Sequence, residues 1–205
     1  MKDLSIENKI LKKIKKCGRG IVLFSTDFVQ YGEKKTVNKA LERMTNEGVI
    51  LRIGRGIYYY PKIDKVLGLG FLQPTLEDIA TGVAKRDKAR VVPTGLYALN
   101  RLGLSTQIPM NVVFMTDSYN RKIVLHNGGS IQFKRSSPKY LAFRSELAML
   151  LTSAFRSLGK EGVTPKVLSR AKELLGKENK GVVEQDYPLM PAWVSSIFRS
   201  LYEEE

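Results

Sequence analysis

The chain has a single cysteine, Cys17, in 205 residues. One thiol closes no internal disulfide and builds no multi-cysteine metal site. Lys15, Lys16 and Arg19 flank it and would favour a thiolate, yet its position reads as an ordinary thiol at a helix end. There is also a single histidine, His126. A zinc site or a histidine-based triad would lack partners. His126 precedes Asn127-Gly128-Gly129 and reads as a turn residue, because Asn-Gly supplies the positive φ angles of a tight hairpin turn.

Long apolar runs are missing too. None reaches the ~20 residues that a membrane-spanning helix needs. The opening Met1-Lys2-Asp3-Leu4 is polar and unlike a secretory signal, so a cytoplasmic location without a membrane partner is expected. Nucleotide-binding loops are absent. Gly159-Lys160 has neither the upstream glycine spacing nor the following Ser/Thr of a P-loop, and Gly68-Leu69-Gly70 lacks the third glycine of a dinucleotide fingerprint. Ser136-Ser137-Pro138-Lys139 holds a Ser-x-x-Lys without the companion motifs that would give it meaning. The carboxylates are scattered, and Asp117 in Thr116-Asp117-Ser118 reads as a turn residue. No catalytic residue, cofactor or metal is expected, and the chain does not read as an enzyme.

What the chain does have is positive charge. Lys and Arg number 34 against 20 Asp and Glu, a formal +14. Such an excess favours a polyanionic partner through attraction and counterion release. Residues 1–60 hold 13 Lys+Arg and 6 Asp+Glu, so under a third of the chain carries half the net charge.

That charge falls on a pattern. Ser5 is a suitable N-cap for a helix to about Lys16, with Ile6, Ile10, Leu11 and Ile14 as its apolar stripe. Ile21 to Phe24 is a short strand, after which Ser25 caps a brief helix ending at Gly32. A helix over 34–46 follows, with Val37, Ala40, Leu41 and Met44 at i, i+3, i+4 and i+7 on its buried face. Its opposite face is led by Lys35, Lys39 and Glu42, with Thr36, Asn38 and Arg43 on the flanks, and Lys34 adds a further basic residue at the helix start. Lysines there suit phosphates, and Asn38 and Arg43 suit base edges. Strands at Val49–Ile53 and Ile57–Tyr60 flank Gly54-Arg55-Gly56, a hairpin with a basic tip and Arg52 beside it. Of Tyr58, Tyr59 and Tyr60, at least one is expected to pack on the helices and core packing is the expected role of most, with a hydroxyl of another open to phosphate. A basic amphipathic helix followed by an arginine-tipped hairpin outlines a winged helix-turn-helix, which sets a helix in the DNA major groove. Residues 1–62 are assigned to it, and Pro61 to Pro74 reads as a linker with some residual structure, 63–71 at its centre.

The remainder, 72–205, reads as a mixed domain. Thr75-Leu76-Glu77-Asp78 opens a helix to about Arg86 with a capping-box pattern. Pro93 suits the first turn of a helix continuing through Leu96, Tyr97, Leu99 and Leu102, with Gly103 just past its end. Strands are expected at 112–116, 122–125 and 130–134, and helices at 145–158, 164–175 and 191–204. Lys122, Lys134, Arg135 and Lys139, with Arg121 and the helical Arg101, form a candidate second nucleic-acid or antitoxin surface. The fold class is therefore α+β: an N-terminal winged helix, then a small antiparallel sheet and several helices.

Two segments resemble one family. The first runs Lys39-Ala40-Leu41-Glu42-Arg43-Met44, Gly48-Val49-Ile50-Leu51-Arg52 and Arg55-Gly56-Ile57-Tyr58. The second, longer and more specific, runs from Pro93-Thr94-Gly95-Leu96-Tyr97-Ala98-Leu99-Asn100-Arg101-Leu102 to Gly103-Leu104-Ser105-Thr106-Gln107-Ile108-Pro109. Both resemble AbiEi-like antitoxins of type IV, abortive-infection toxin–antitoxin systems, over roughly residues 5–145. The resemblance implies phage defence, autorepression through repeats in the chain's own promoter, and opposition to a nucleotidyltransferase-like toxin, in several cases without stable contact. It carries the DNA-binding role onto Lys35, Thr36, Asn38, Lys39, Arg43, Arg52 and Arg55. In the second segment, Thr94, Asn100, Arg101, Ser105, Thr106 and Gln107 are either functional polar groups or helix caps and turn formers. Two alternatives stay open: an RNA-binding protein that shields the toxin's target, suggested by the basic 121–139 meander, or an antitoxin that clamps the toxin directly.

Overall fold

The computed structural model describes residues 5–203; the polar start, Met1 to Leu4, and the tail Glu204-Glu205 lie outside the described residues. The chain divides into two compact units. The first comprises Met1–Asp87 and Ile123–Gly129, the second Lys88–Lys122 and Ser130–Glu205.

The first unit begins with α1 (Ile6–Cys17), whose N-cap Ser5 accepts the Asn8 N–H through its hydroxyl. Its stripe buries Ile10 and Ile14 completely. Strand β1 (Ile21–Phe24) leads into a 3-10 helix, Ser25–Tyr31. Asp27 rather than Ser25 fixes the start of that turn, its carboxylate accepting the Phe24 N–H at 2.8 Å. A carboxylate two residues inside the turn reaches the exposed donor that a hydroxyl at its edge does not.

Next come α2 (Lys34–Asn46), β2 (Leu51–Gly54) and β3 (Ile57–Tyr60). The three strands form one sheet in the order β1-β3-β2, with Ile21↔Tyr60 to Phe24↔Ile57 paired antiparallel. Alternation along the strands decides which helix each side chain meets. Leu23, Tyr58 and Tyr60 join Ile10, Phe28, Leu41 and Met44 in the core under α1 and α2.

Val22, Phe24 and Tyr59 point the other way, toward α3 (Leu76–Asp87). Gly82 permits that contact. A Cβ there would stand 2.6 Å from Cβ of Val22, so any larger residue would push α3 off the sheet. The Arg86 guanidinium lies 4.1 Å over the Phe24 ring. The helix starts with the capping box expected of Thr75 and Asp78, each accepting the other's backbone N–H. The unit boundary therefore differs from a break after residue 62: sheet packing holds α3 in the first unit. The segment read as a linker is also structured, forming an antiparallel hairpin of β4 (Lys62–Asp64) and β5 (Gly70–Leu72).

The second unit holds β6 (Val91–Pro93), β7 (Asn111–Thr116), β9 (Ser130–Arg135) and the first two residues of β8 (Arg121–Val124), in a sheet ordered β6-β7-β9-β8. The small sheet is present, but its central ladder β7–β9 is parallel, Asn111↔Ser130 to Thr116↔Arg135. The strand order explains the difference: β9 returns from its turn with β8 to lie between β8 and β7. Pro93 closes β6 opposite Phe114 instead of opening a helix. A proline, having no N–H to give a ladder, suits the end of an edge strand.

The short α4 (Gly95–Arg101) begins at Gly95, whose φ of 61° a β-carbon would strain. The helices α5 (Glu146–Gly162), α6 (Pro165–Leu175), α7 (Lys180–Asp186) and α8 (Ala192–Glu203) complete the unit. Regular geometry in α5 breaks at Gly159, φ 72°, where the helix was expected to end. Leu99, Leu151, Phe155, Ala171, Val194 and Phe198 fill the core between these helices.

Candidate nucleic-acid interface

Helix α2 turns its apolar stripe inward and leaves Lys34, Lys35, Thr36, Asn38 and Lys39 exposed. Among the described residues, none of these lysines forms an ion pair. The first turn carries no acid, and its N-cap, Glu33, makes no side-chain capping bond. The leading N–H groups thus keep their partial positive charge, reinforced by Lys34 and Lys35. Glu42 is exposed on the same helix near Tyr58, and Arg52 approaches Tyr58 from β2. Burial holds the Tyr58 hydroxyl above its usual pKa; the charge of Arg52 opposes this and the charge of Glu42 adds to it more weakly.

Arg43, expected to read bases, is exposed and paired within the chain. Its Nη2 and Nε lie 2.8 and 2.9 Å from Oε2 of Glu7 on α1, so its guanidinium ties the two helices together. The tyrosines pack in the core, as expected for most of them, but none offers the hydroxyl expected of one. Tyr58, Tyr59 and Tyr60 are all buried, leaving no phenol presented to phosphate. Their bulk is used on both faces of the sheet instead, and Arg19 stacks 4.5 Å over the Tyr60 ring.

Arg55 is exposed at the β2–β3 turn. Gly56 has φ 69°, a left-handed conformation that glycine adopts freely. Gly54 serves a different end. It is bridged antiparallel to Leu125, and a Cβ on it would stand 3.0 Å from the Val124 carbonyl oxygen. His126 donates its N–H to the Ile53 carbonyl at 3.0 Å. The 125–126 turn therefore covers the outer edge of β2, which would otherwise be open to another strand. Gly54 allows this approach within the chain, and Arg55 alone at the tip remains available to a ligand.

The second basic set is less coherent. Arg101 pairs with Glu146 at 2.7 Å. Arg121 lies 4.9 Å over the Tyr119 ring and 5.0 Å over Phe133, and donates to the Tyr119 hydroxyl. Lys122, Lys134, Arg135 and Lys139 are exposed, Lys122 and Lys134 on the neighbouring strands β8 and β9. Polar residues of the second motif act structurally. The Thr94 hydroxyl donates to the Val113 carbonyl, the Asn100 amide donates to that of Ser105, and the Ser105 hydroxyl accepts the Gln107 N–H.

Asp117 is likewise structural. Burial works against its charged form, but the backbone and side-chain N–H of Arg90 outweigh it and hold the carboxyl below its ordinary pKa. Among the described residues, no group of three or more His, Cys, Asp or Glu is placed to hold a metal ion. Their helices include none long and apolar enough to cross a membrane. A groove of about 720 Å³ runs between α1, β1 and α3, with Cys17, Val22, Phe24, Lys85 and Arg86 in its walls.

Sequence reasoning missed the 62–72 hairpin, because its strands are only three residues long and its turn is as apolar as its strands. It also missed the cover over β2, because a contact between residues 53 and 126 leaves no local signature. The order helix, strand, 3-10 turn, helix and two-stranded wing is compatible with a winged helix. Residues 9–183 match the family of unknown function DUF6088, and the chain belongs to that family. No curated protein matches the chain.

Proposed function

We propose that this chain is an antitoxin and transcriptional autorepressor, and that its first unit binds double-stranded promoter DNA through α2 and the β2–β3 wing. The observation that carries the reading is the exposed row Lys34, Lys35 and Lys39, free of ion pairs, on a helix followed by a wing with Arg55 at its tip. Lysines fully engaged with carboxylates would have to break those pairs to meet phosphate; these do not. Asn38 and Thr36 are the polar side chains on that row that suit base edges, while Arg52 flanks the wing. Arg43 supports the row indirectly by fixing α2 against α1.

The antitoxin half of the reading rests on the two motifs that resemble AbiEi-like proteins. The partner it implies is a nucleotidyltransferase-like toxin, opposed without a need for direct contact. The test is a reporter fused to the chain's own upstream region, with growth scored in parallel beside the neighbouring toxin gene. Wild type is expected to repress the reporter and restore growth. A Lys35→Ala/Arg55→Ala variant is expected to lose repression and keep growth rescue, assigning the two activities to separate parts. No repression by wild type would remove the DNA reading, and no rescue would remove the antitoxin reading.

A further inference from the structure

The hairpin of β4 and β5 leaves six large apolar side chains in water: Ile63 40%, Val66 90%, Leu67 76%, Leu69 66%, Phe71 49% and Leu72 36% exposed. Scattered single exposures are ordinary, but a contiguous group of this kind marks an interaction surface. The hairpin is also held in shape. The Asp64 carboxylate accepts the N–H groups of Val66, Leu67 and Leu69, which fixes the tip. Yet it is a sheet of only two strands, and two strands alone are marginal in water. Among the described residues, no backbone hydrogen bond from outside the hairpin reaches 62–64.

We propose that β4 pairs with β4 of a second copy of this chain, antiparallel about a two-fold axis through Ile63, giving a four-stranded sheet β5–β4–β4–β5. The strand Lys62-Ile63-Asp64 is self-complementary in that register. Lys62 of each copy falls opposite Asp64 of the other, and Ile63 falls opposite itself. Because Ile63 pairs with Phe71 inside the hairpin, one face of the joined sheet becomes an unbroken apolar row, Phe71–Ile63–Ile63–Phe71. The charged pairs lie on the opposite face, since alternate residues of a strand point to opposite sides.

Pairing through β5 offers no such match, because Gly70-Phe71-Leu72 has no charge to set the register. A lipid bilayer is a poorer occupant, because open strand edges find no hydrogen-bond partners in hydrocarbon. A two-fold contact is the commonest form of self-association. Of the exposed side chains, Ile63 and Phe71 lie on the joined apolar face, while Val66, Leu67 and Leu69 sit in the turn beyond the paired residues. This pairing stands whether or not the chain binds DNA.

Sedimentation velocity on the full chain over a range of concentrations tests it, with Ile63→Lys and Lys62→Glu as variants. Wild type is expected to form a dimer in the micromolar range. Both exposed-site variants should keep the wild-type far-UV spectrum and raise the dimer dissociation constant about tenfold or more, Ile63→Lys by breaking the apolar row and Lys62→Glu by facing Asp64 with a like charge. A wild type that stays monomeric throughout overturns the proposal. So does a dimer that neither variant weakens, which would place the contact elsewhere. A monomer that instead sediments with phosphatidylserine vesicles, and loses them on Ile63→Lys, overturns it as well and gives the hairpin to a membrane surface.

Discussion

Replacing Lys35 and Arg55 together by alanine is expected to weaken binding to the chain's own promoter duplex by about a hundredfold at physiological salt. The plot of log affinity against log salt should become shallower by roughly two. Each lysine or arginine that meets a phosphate releases condensed counterions and adds about 0.9 to that slope. The two residues stand at separate ends of the proposed footprint, Lys35 in the first turn of α2 and Arg55 at the wing tip. Their losses should therefore be close to additive, since they share no partner. Arg43→Ala provides the internal contrast. Its guanidinium is held by Glu7, so its removal should change the slope little, although it bears the same charge on the same helix. If Arg43→Ala flattens the slope as much as Lys35→Ala does, the geometry is not selecting the contacts and only net charge matters. Fluorescence anisotropy with a labelled duplex over a salt series reads all three variants.

The largest expected loss of stability lies elsewhere, at Asp186. This carboxylate is 1% exposed. It accepts the Arg144 N–H at 2.9 and 3.1 Å and the Ser145 N–H at 2.9 Å. Ser145 in turn caps α5, its hydroxyl accepting the Ala148 N–H at 3.0 Å. One side chain at the end of α7 thus satisfies the backbone donors that lead into the longest helix of the second unit. Asp186→Ala would strand the buried Ser145 N–H, take the acceptor from the part-buried Arg144 N–H and leave a void. Hydrogen bonds to charged groups contribute about 1.5–3 kcal/mol each, and stranded donors cost more than pairs removed together. We expect a loss of about 3 kcal/mol, with Asp186→Asn retaining part of it through its remaining acceptor oxygen. Thermal and urea unfolding measure both. A change below about 0.5 kcal/mol for the alanine variant, the ordinary range for a surface substitution, would show that these contacts do not hold α5.

Legibility in the sequence followed the range of the forces involved. The helix over 34–46 was readable because Val37, Ala40, Leu41 and Met44 recur at helical spacing, and its exposed face followed by subtraction. The wing was readable because Gly54-Arg55-Gly56 is a local turn signal. Arg43 was not, because Glu7 lies 36 residues away in sequence and only the packing of α1 on α2 brings them together. Gly54 reads locally as part of the hairpin turn, and its approach to Val124, a contact across 70 residues, leaves no local signature. The placement of α3 was hidden in the same way: Gly82 reads as a weak point in a helix until Val22 is seen against it. Pro93 misled because a proline suits both a helix start and the end of an edge strand, and only the pairing with Phe114 decides between them. Asp186 gave no signal at all, since a lone carboxylate near a Tyr-Pro pair looks like any turn.

The central claim is that the first unit reads duplex DNA. Its most direct test is competition of the purified chain among three labelled ligands across salt: the duplex from upstream of its own gene, a scrambled duplex and an RNA of matched sequence. The account predicts preference for the native duplex by ~10³-fold or more, the low end for specific DNA binders. RNA should be weakest at the α2 surface, because the deep, narrow major groove of A-form RNA does not admit a helix. Equal and steeply salt-dependent binding to all three would contradict the account. The lysine row would then be a general polyanion surface, and α2 would not be a recognition helix.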